Sequence, residues 1–375
     1  MNKNIIPKEI FELAYLFNLH NVDLYLVGGS IRDCILGKIP DDFDFTTQAK
    51  TDKILDILKD YKTFRSGEKY GTIGVLFQGL KCEITTFRFD GIYLDNRHPD
   101  KVVFHNDLYA DLKRRDFSIN ALAYDLKNKI LIDKFDCKKD LDSRIIRCIG
   151  VCEERFREDS LRILRAFSFC SKLNFDISNR TLCAIESTKE LLKNIKIERI
   201  RAEIEKIFAG KNPKKALNLM KKYQILNIQK IPANINYINP KYRIYSSFLI
   251  FENLIYLNPK TSKKTLEIQE IFLKIPPNKS VKKARFILAD LLNQHKIEDI
   301  YIALCLKISF NKQYRIYKKI LKHIKITYIN GKELLNLGFD KMQINTIKQK
   351  LLIETITNKI KDKKILLKIA KLNLS

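Results

Sequence analysis

Leu24-Tyr-Leu-Val-Gly-Gly-Ser-Ile-Arg-Asp33, followed closely by Asp42-Phe-Asp44, decides the fold of this chain. Residues 24–27 form an apolar run that reads as a buried strand. Gly28-Gly29 then makes a turn in which backbone comes close to a ligand, and Ser30 opens a short helix that Gly37 and Pro40 close. Unpaired N–H groups at such a helix start favour phosphate. The next strand carries Asp42 and Asp44 two positions apart, so both carboxylates leave one face while Phe43 and Phe45 enter the core. Paired carboxylates beside a phosphate cradle suit a Mg²⁺-dependent phosphoryl or nucleotidyl transfer site. Alone, a Gly-Gly pair is usually only a turn and Asp-x-Asp a solvated strand edge. Their strand–turn–helix–strand order carries the argument. Neither the dinucleotide fingerprint nor the P-loop pattern occurs.

With 375 residues the chain can fold as several compact units. No apolar run approaches the ~18 residues of a membrane span, and Glu9 and Glu12 spoil a signal-peptide reading of the N-terminus. Eight cysteines occur without a CxxC pair, and His98 and His105 are not spaced to join them at zinc. Reduced thiols in a cytoplasmic protein are the expectation. The formal charge of +27 is unevenly placed: residues 211–375 hold 34 basic and 10 acidic side chains, whereas 1–210 hold 36 and 33. Abundant Lys, Ile and Asn account for part of this basicity as compositional drift. The segregation itself points to a polyanion lying across the C-terminal half.

Residues 1–140 mix β-like runs (22–27, 43–46, 74–77, 83–87 and 130–132) with helices and turn signals such as Ser66-Gly67 and Tyr70-Gly71. From 141 onward helical periodicity takes over, with 153–171 and 197–208 reading as continuous amphipathic helices. Gly210-Lys-Asn-Pro213 marks a break, and Pro232, Pro240, Pro259 and Pro276-Pro277 divide a second helical region. Basic helices are expected over 281–293, 314–326 and 361–374. The expected units are 1–140, 141–210, 211–280 and 281–375.

Three further constellations carry chemistry. Glu83, with Thr85 on the same strand face, could complete a metal triad with Asp42 and Asp44, or be an ordinary polar position on a half-buried strand. Arg114-Arg115-Asp116-Phe117 opens toward a helix, and arginine's planar fork suits triphosphate oxygens. The third, Arg155-Phe-Arg-Glu158-Asp159-Ser-Leu-Arg162-Ile-Leu-Arg165-Ala-Phe-Ser168-Phe169, sets Glu158 and Asp159 beside Arg162 at helical spacing. An intrahelical salt bridge is the bland explanation. The chemical one is base selection: cytosine and adenine each present an exocyclic amine beside a ring-nitrogen acceptor, and uracil and guanine present the reverse. A fixed Asp acceptor next to an Arg donor pairs with C and A and rejects U and G.

In this order the motifs resemble the bacterial-type (class II) tRNA nucleotidyltransferases, the CCA-adding branch of the tRNA nucleotidyltransferase/poly(A) polymerase family. The matching stretches include Val27–Asp33, 42–47, Gly71-Thr-Ile, 83–88, Arg97-His-Pro99, 111–121, Leu131-Ile-Asp133, 155–169 and Glu198-Arg-Ile-Arg-Ala-Glu203, covering roughly 25–205. Beyond about 215 no residue-level motif matches. The resemblance implies an α+β fold: a polymerase-β-like nucleotidyltransferase head with a mixed sheet, then an all-α neck, body and tail. It implies that Asp42 and Asp44 bind Mg²⁺ and are catalytic. Gly28, Gly29, Arg32 and Arg115 would contact the triphosphate, Asp159 and Arg162 would read the base, and Arg165 would support the nucleotide. The implied substrates are tRNA, CTP and ATP, with no membrane and no obligate protein partner. One position departs from the pattern: Ser168 stands where the family usually has another arginine.

Within the family, a full-length 89–106 segment favours complete CCA or A addition over CC addition. Gly67-Glu-Lys-Tyr-Gly71 replaces the Gly-Arg-Arg-Phe-type segment of bacterial poly(A) polymerases. Addition of A alone or poly(A) synthesis is the nearer alternative. A catalytically silent RNA-binding protein is the remoter one, expected to lack one of Asp42, Asp44 or Arg162; all three are present.

Overall fold

The computed structural model describes residues 6–90, 102–233, 235–252, 254–276, 281–310, 329–358, 360 and 362–372. Several expectations lie outside these residues: 91–101 with Arg97-His98-Pro99, Pro277, the helix at 314–326, and the ends of 361–374. The chain divides into two compact units, Met1–Glu203 and Ile204–Ser375.

The first unit is built on a seven-stranded mixed sheet. Its strands are β1 (Tyr25–Val27), β2 (Phe43–Thr47), β3 (Lys62–Phe64), β4 (Thr72–Phe77), β5 (Leu80–Thr86), β8 (Ala123–Asp125) and β9 (Ile130–Ile132). Their order is β3-β4-β5-β2-β1-β8-β9. β1 runs antiparallel to β2 and β8, whereas β2 and β5 are parallel and place Asp44 opposite Glu83. Alternation along β2 works as the period-2 pattern dictates: Phe43 and Phe45 are buried and Asp44 is half-buried on the other face. A separate ribbon pairs β6 (Arg88–Asp90) with β7 (Val102–Phe104). It packs over Gly71, where φ is +81° and a Cβ would come within 2.6 Å of the Phe104 ring.

Helix α1 (Lys8–Asn18) buries Ile10, Leu13, Ala14 and Phe17, the stripe of a 3.6-residue period. Two short helices, α2 (Gly28–Ile35) and α3 (Thr51–Ile57), follow β1 and β2, and α4 (Leu108–Lys113) is capped by Asp107, which accepts from the Tyr109 N–H at 2.8 Å. After β9 come α5 (Cys137–Asp142), then α6 (Cys152–Glu158) and α7 (Leu161–Leu173). The continuous helix expected over 153–171 is therefore two helices. Asp159 breaks it with extended backbone (φ −142°, ψ 100°), and its own carboxylate accepts from the Leu161 N–H at 3.1 Å. An Asp side chain that satisfies the next helix's N–H competes with helix continuation. α7 ends at Asn174 in the left-handed conformation, φ +61°. α8 (Asn179–Thr188) and α9 (Ile197–Ala209) complete the series.

The second unit is helical among the described residues. α10 (Pro213–Lys222) starts at the Gly210–Pro213 punctuation, with Asn212 as cap and proline in the first turn, and Pro259–Lys274 repeats the device with Asn258. Arg243 is buried and donates to the carbonyls of Gly210 (2.6 Å), Asn236 (2.7 Å) and Ile238 (2.8 Å). A distal core gathers Ile329, Leu334, Phe339, Ile347, Leu351 and Leu366. No helix among the described residues is long and apolar enough to cross a membrane.

Candidate active site

One cleft in the first unit, about 530 Å³ in volume, is lined by seven arginines and three aspartates. That balance selects a polyanion. Its floor is the β1–α2 junction. The helix starts at Gly28, two residues earlier than the glycine turn suggests, and Gly28 itself adopts φ +67°. A Cβ at Gly28 would meet Arg115 Nη1 at 3.1 Å and Asp44 Oδ2 at 3.4 Å; one at Gly29 would meet Arg32 Nη2 at 3.3 Å. Bare backbone here lets two arginines and a carboxylate converge. Ser30 acts as a tie rather than as the helix start: its Oγ accepts from the Asp44 N–H at 2.7 Å and donates to the Asp42 carbonyl at 3.2 Å.

Asp44 lines the cleft, whereas Asp42 precedes β2 on exposed chain and does not. Burial pushes the Asp44 carboxyl up to about 6, with Glu83 and Asp42 adding to the rise against Arg115 and Arg32, which oppose it. Among the described residues no group of three or more His, Cys, Asp or Glu is placed to hold a metal, so Glu83 does not complete a triad. Two carboxylates, one disfavoured in its charged form, are still an all-oxygen donor set suited to a hard divalent ion that takes its remaining ligands from phosphate and water.

The arginine wall is held by two buried carboxylates. Asp111, fully buried, accepts from Arg114 Nε (2.9 Å) and Nη2 (2.7 Å), from Arg115 Nη2 (3.2 Å) and from Thr46 Oγ1 (3.4 Å). Burial raises its pKa, but Arg114 and Arg115 outweigh that and hold it below the ordinary carboxylate range. Asp116, also buried, takes Arg165 through Nε (2.8 Å) and Nη2 (2.6 Å) and Asn120 Nδ2 at 3.1 Å. Its pKa too is lowered, Arg165 and the Asn120 hydrogen bond overriding burial. Asn120 in turn accepts from Arg32 Nη1 at 2.6 Å. The Arg-Arg-Asp run is thus an interior network and not a surface ion pair.

At the α6–α7 break, Arg162 donates to Glu158 Oε2 (3.1 Å) and to the Arg114 carbonyl (3.2 Å). Asp159 is gripped by Arg199 Nη2, 3.0 Å from one oxygen and 2.9 Å from the other. The structure therefore brings Gly28, Gly29, Arg32, Asp44 and Arg115 to one cleft with Asp159, Arg162 and Arg165. Sequence reasoning missed Asp111 and Arg199. The i, i+3 and i, i+4 spacing from Asp111 to the arginines was a signal for the first; only the bare stretch 198–203 hinted at the second. Ser168 turns away from the cleft into the interior, where its Oγ donates to Glu203 Oε2 in a short hydrogen bond and to the Leu164 carbonyl at 3.2 Å.

Residues 24–147 match the sequence profile described as the poly A polymerase head domain. A second match, described as the probable RNA and SrmB-binding site of polymerase A, covers residues 174–230. The CCA-adding enzyme of Staphylococcus aureus (strain MRSA252) is 43% identical over 205 residues, covering 55% of this chain and 50% of the relative. That of Staphylococcus epidermidis is 43% identical over 223 residues, covering 58% and 55%. The chain thus spans about half the length of the curated relatives it matches. Among solved structures, the Bacillus stearothermophilus CCA-adding enzyme in complex with CTP superposes with a TM-score of 0.70 at 24% identity, covering 98% of this chain and 97% of that one. The Thermotoga maritima CCA-adding enzyme complexed with tRNA gives 0.62 at 21% identity, covering 99% and 97%. The chain shares the fold of these enzymes.

Proposed function

We propose that this protein adds C, C and then A to the 3′ end of tRNA, using CTP and ATP and releasing pyrophosphate, in the cytoplasm and without an obligate protein partner. The observation that carries this is the convergence, in one arginine-lined cleft, of Asp44 and the glycine cradle with the Asp159–Arg162 pair. The names of the staphylococcal relatives support the same activity.

In this reading Asp42 and Asp44 hold Mg²⁺, which when bound would favour the ionised 3′ hydroxyl of the acceptor ribose and neutralise charge on the α-phosphate. Arg32, Arg115 and the backbone at Gly28-Gly29 bind the triphosphate and stabilise charge that builds on the leaving pyrophosphate. Asp159 accepts from the exocyclic amine of cytosine or adenine. Arg162, held by Glu158 and the Arg114 carbonyl, donates to the adjacent ring nitrogen. Arg199 Nη2 holds Asp159 through both of its oxygens. Arg165 supports the bound nucleotide. The basic surplus of 211–375 neutralises tRNA phosphates, where RNA is recognised by shape and backbone.

The test is to incubate the protein with Mg²⁺ and tRNA ending in the discriminator base, supply nucleotides singly and in pairs, and sequence the products. CTP alone should give CC, CTP with ATP should give CCA, and UTP or GTP should give nothing. Products carrying A alone, or an A tract, would replace the proposal with its nearer rival. An absence of product would leave an RNA-binding protein.

A further inference from the structure

We propose that Phe169 is a positioning residue of this cleft, its ring holding the phosphate-side Arg32 in register with the base-side Arg165. The inference deepens the proposed function and rests on it for the roles of the two arginines.

Both guanidinium carbons lie against the Phe169 ring, Arg32 Cζ at 5.5 Å and Arg165 Cζ at 5.4 Å from its centroid. The face of an aromatic ring attracts cations at these distances. A polar route joins the same two arginines: Arg32 Nη1 to Asn120 Oδ1, Asn120 Nδ2 to Asp116 Oδ1, and Asp116 Oδ2 to Arg165. Ring and polar route together form a closed circuit linking α2, the segment after α4, and α7. Two like charges facing one cleft repel, so without such a circuit each long side chain would sample other rotamers and lose that freedom when a triphosphate binds.

Packing alone does not account for Phe169. On the same helix Phe167 is fully buried and serves the core, whereas Phe169 is partly exposed and lines the cleft. Buried Phe117 meets the Phe169 ring edge-on (5.9 Å, 81°).

The discriminating experiment replaces Phe169 with phenylalanines carrying one, two and three fluorines, which drain the ring's negative face while leaving its shape. KM for CTP and ATP should rise stepwise, to about tenfold for the trifluoro ring, with kcat within about threefold and the melting temperature unchanged. F169L should raise KM at least as much and F169Y should restore it. F117L, a change of the same size beside the ring, should lower the melting temperature and leave KM within about threefold. A KM flat across the fluorine series, or an F169L variant that loses only folded fraction, overturns the inference. Wild-type protein that turns over no nucleoside triphosphate overturns the proposed function instead.

Discussion

Arginines of the two units are held by different means. In the first unit carboxylates hold them: Asp111 takes Arg114 and Arg115, and Asp116 takes Arg165. These guanidinia line a cleft, so each is oriented by a charge behind it and keeps a face toward whatever binds. In the second unit, Arg243 is tied to main-chain carbonyls just after α9 and around 236–238. Burial there lowers its pKa. The first arrangement prepares positive charge for a ligand; the second fastens one chain segment to another. A tally of basic residues does not separate them, and the partner atoms do.

The largest expected effect sharpens the first half of that contrast. D44N should lower nucleotide transfer by about a thousandfold or more while leaving tRNA affinity, measured by filter binding, within about twofold. A D44N enzyme with near-normal turnover would remove Asp44 from the metal assignment. The matching cut in the second unit is R243M, which strands several buried carbonyls. It should cost about 2–4 kcal/mol of unfolding free energy and leave KM for CTP unchanged. A rise in KM with full stability would mean that Arg243 belongs with the cleft arginines after all.

The pH dependence of stability tests the carboxylates themselves. Asp44 titrates above its ordinary value, near 6, so its contribution is fully present below about pH 4 and is lost as pH rises through 6. Without divalent ion, D44N should therefore be more stable than wild type at pH 7, by an amount on the order of 1–3 kcal/mol, and lose that advantage by pH 4. Asp111 is shifted the other way: its contribution is present above about pH 4 and fades as pH falls toward its lowered pKa. D111N should accordingly be the less stable protein at pH 7, with the gap closing in acid. Chemical denaturation across pH reads both signs at once. The smallest effect concerns Arg199. R199K keeps the charge but replaces the fixed guanidinium Nη2 that reaches both Asp159 oxygens with a flexible ammonium, and should erode the preference for CTP and ATP over UTP and GTP by about tenfold with little change in stability. Unchanged selectivity would make Arg199 a purely structural partner.

Much of the head was legible because local pattern and tertiary role coincide there. Phe43-Asp-Phe45 alternates as a half-buried strand must, the apolar run ending at Val27 could only be interior, and Gly28 marks backbone that has to approach other groups. Strands β3, β6, β7 and β8 were hidden because three-residue segments, such as Lys62–Phe64, carry too little alternation. The break at Asp159 was hidden for the opposite reason. Cys152, Phe156, Ile163 and Phe167 keep a helical rhythm straight across it, and the rhythm is blind to a side chain that satisfies the next helix's N–H.

From the residues alone came the order of motifs, the paired acids of the forties, the basic C-terminal half and the family resemblance. All of these depend on neighbours along the chain or on composition. Only the folded molecule decided that Asp111 and Asp116 lie inside as counter-charges, that Arg199 grips Asp159 from 40 residues away, and that Ser168 turns inward to Glu203. A charged side chain takes its meaning from the partner that meets its charge after desolvation, and that partner is chosen by the packing of distant segments.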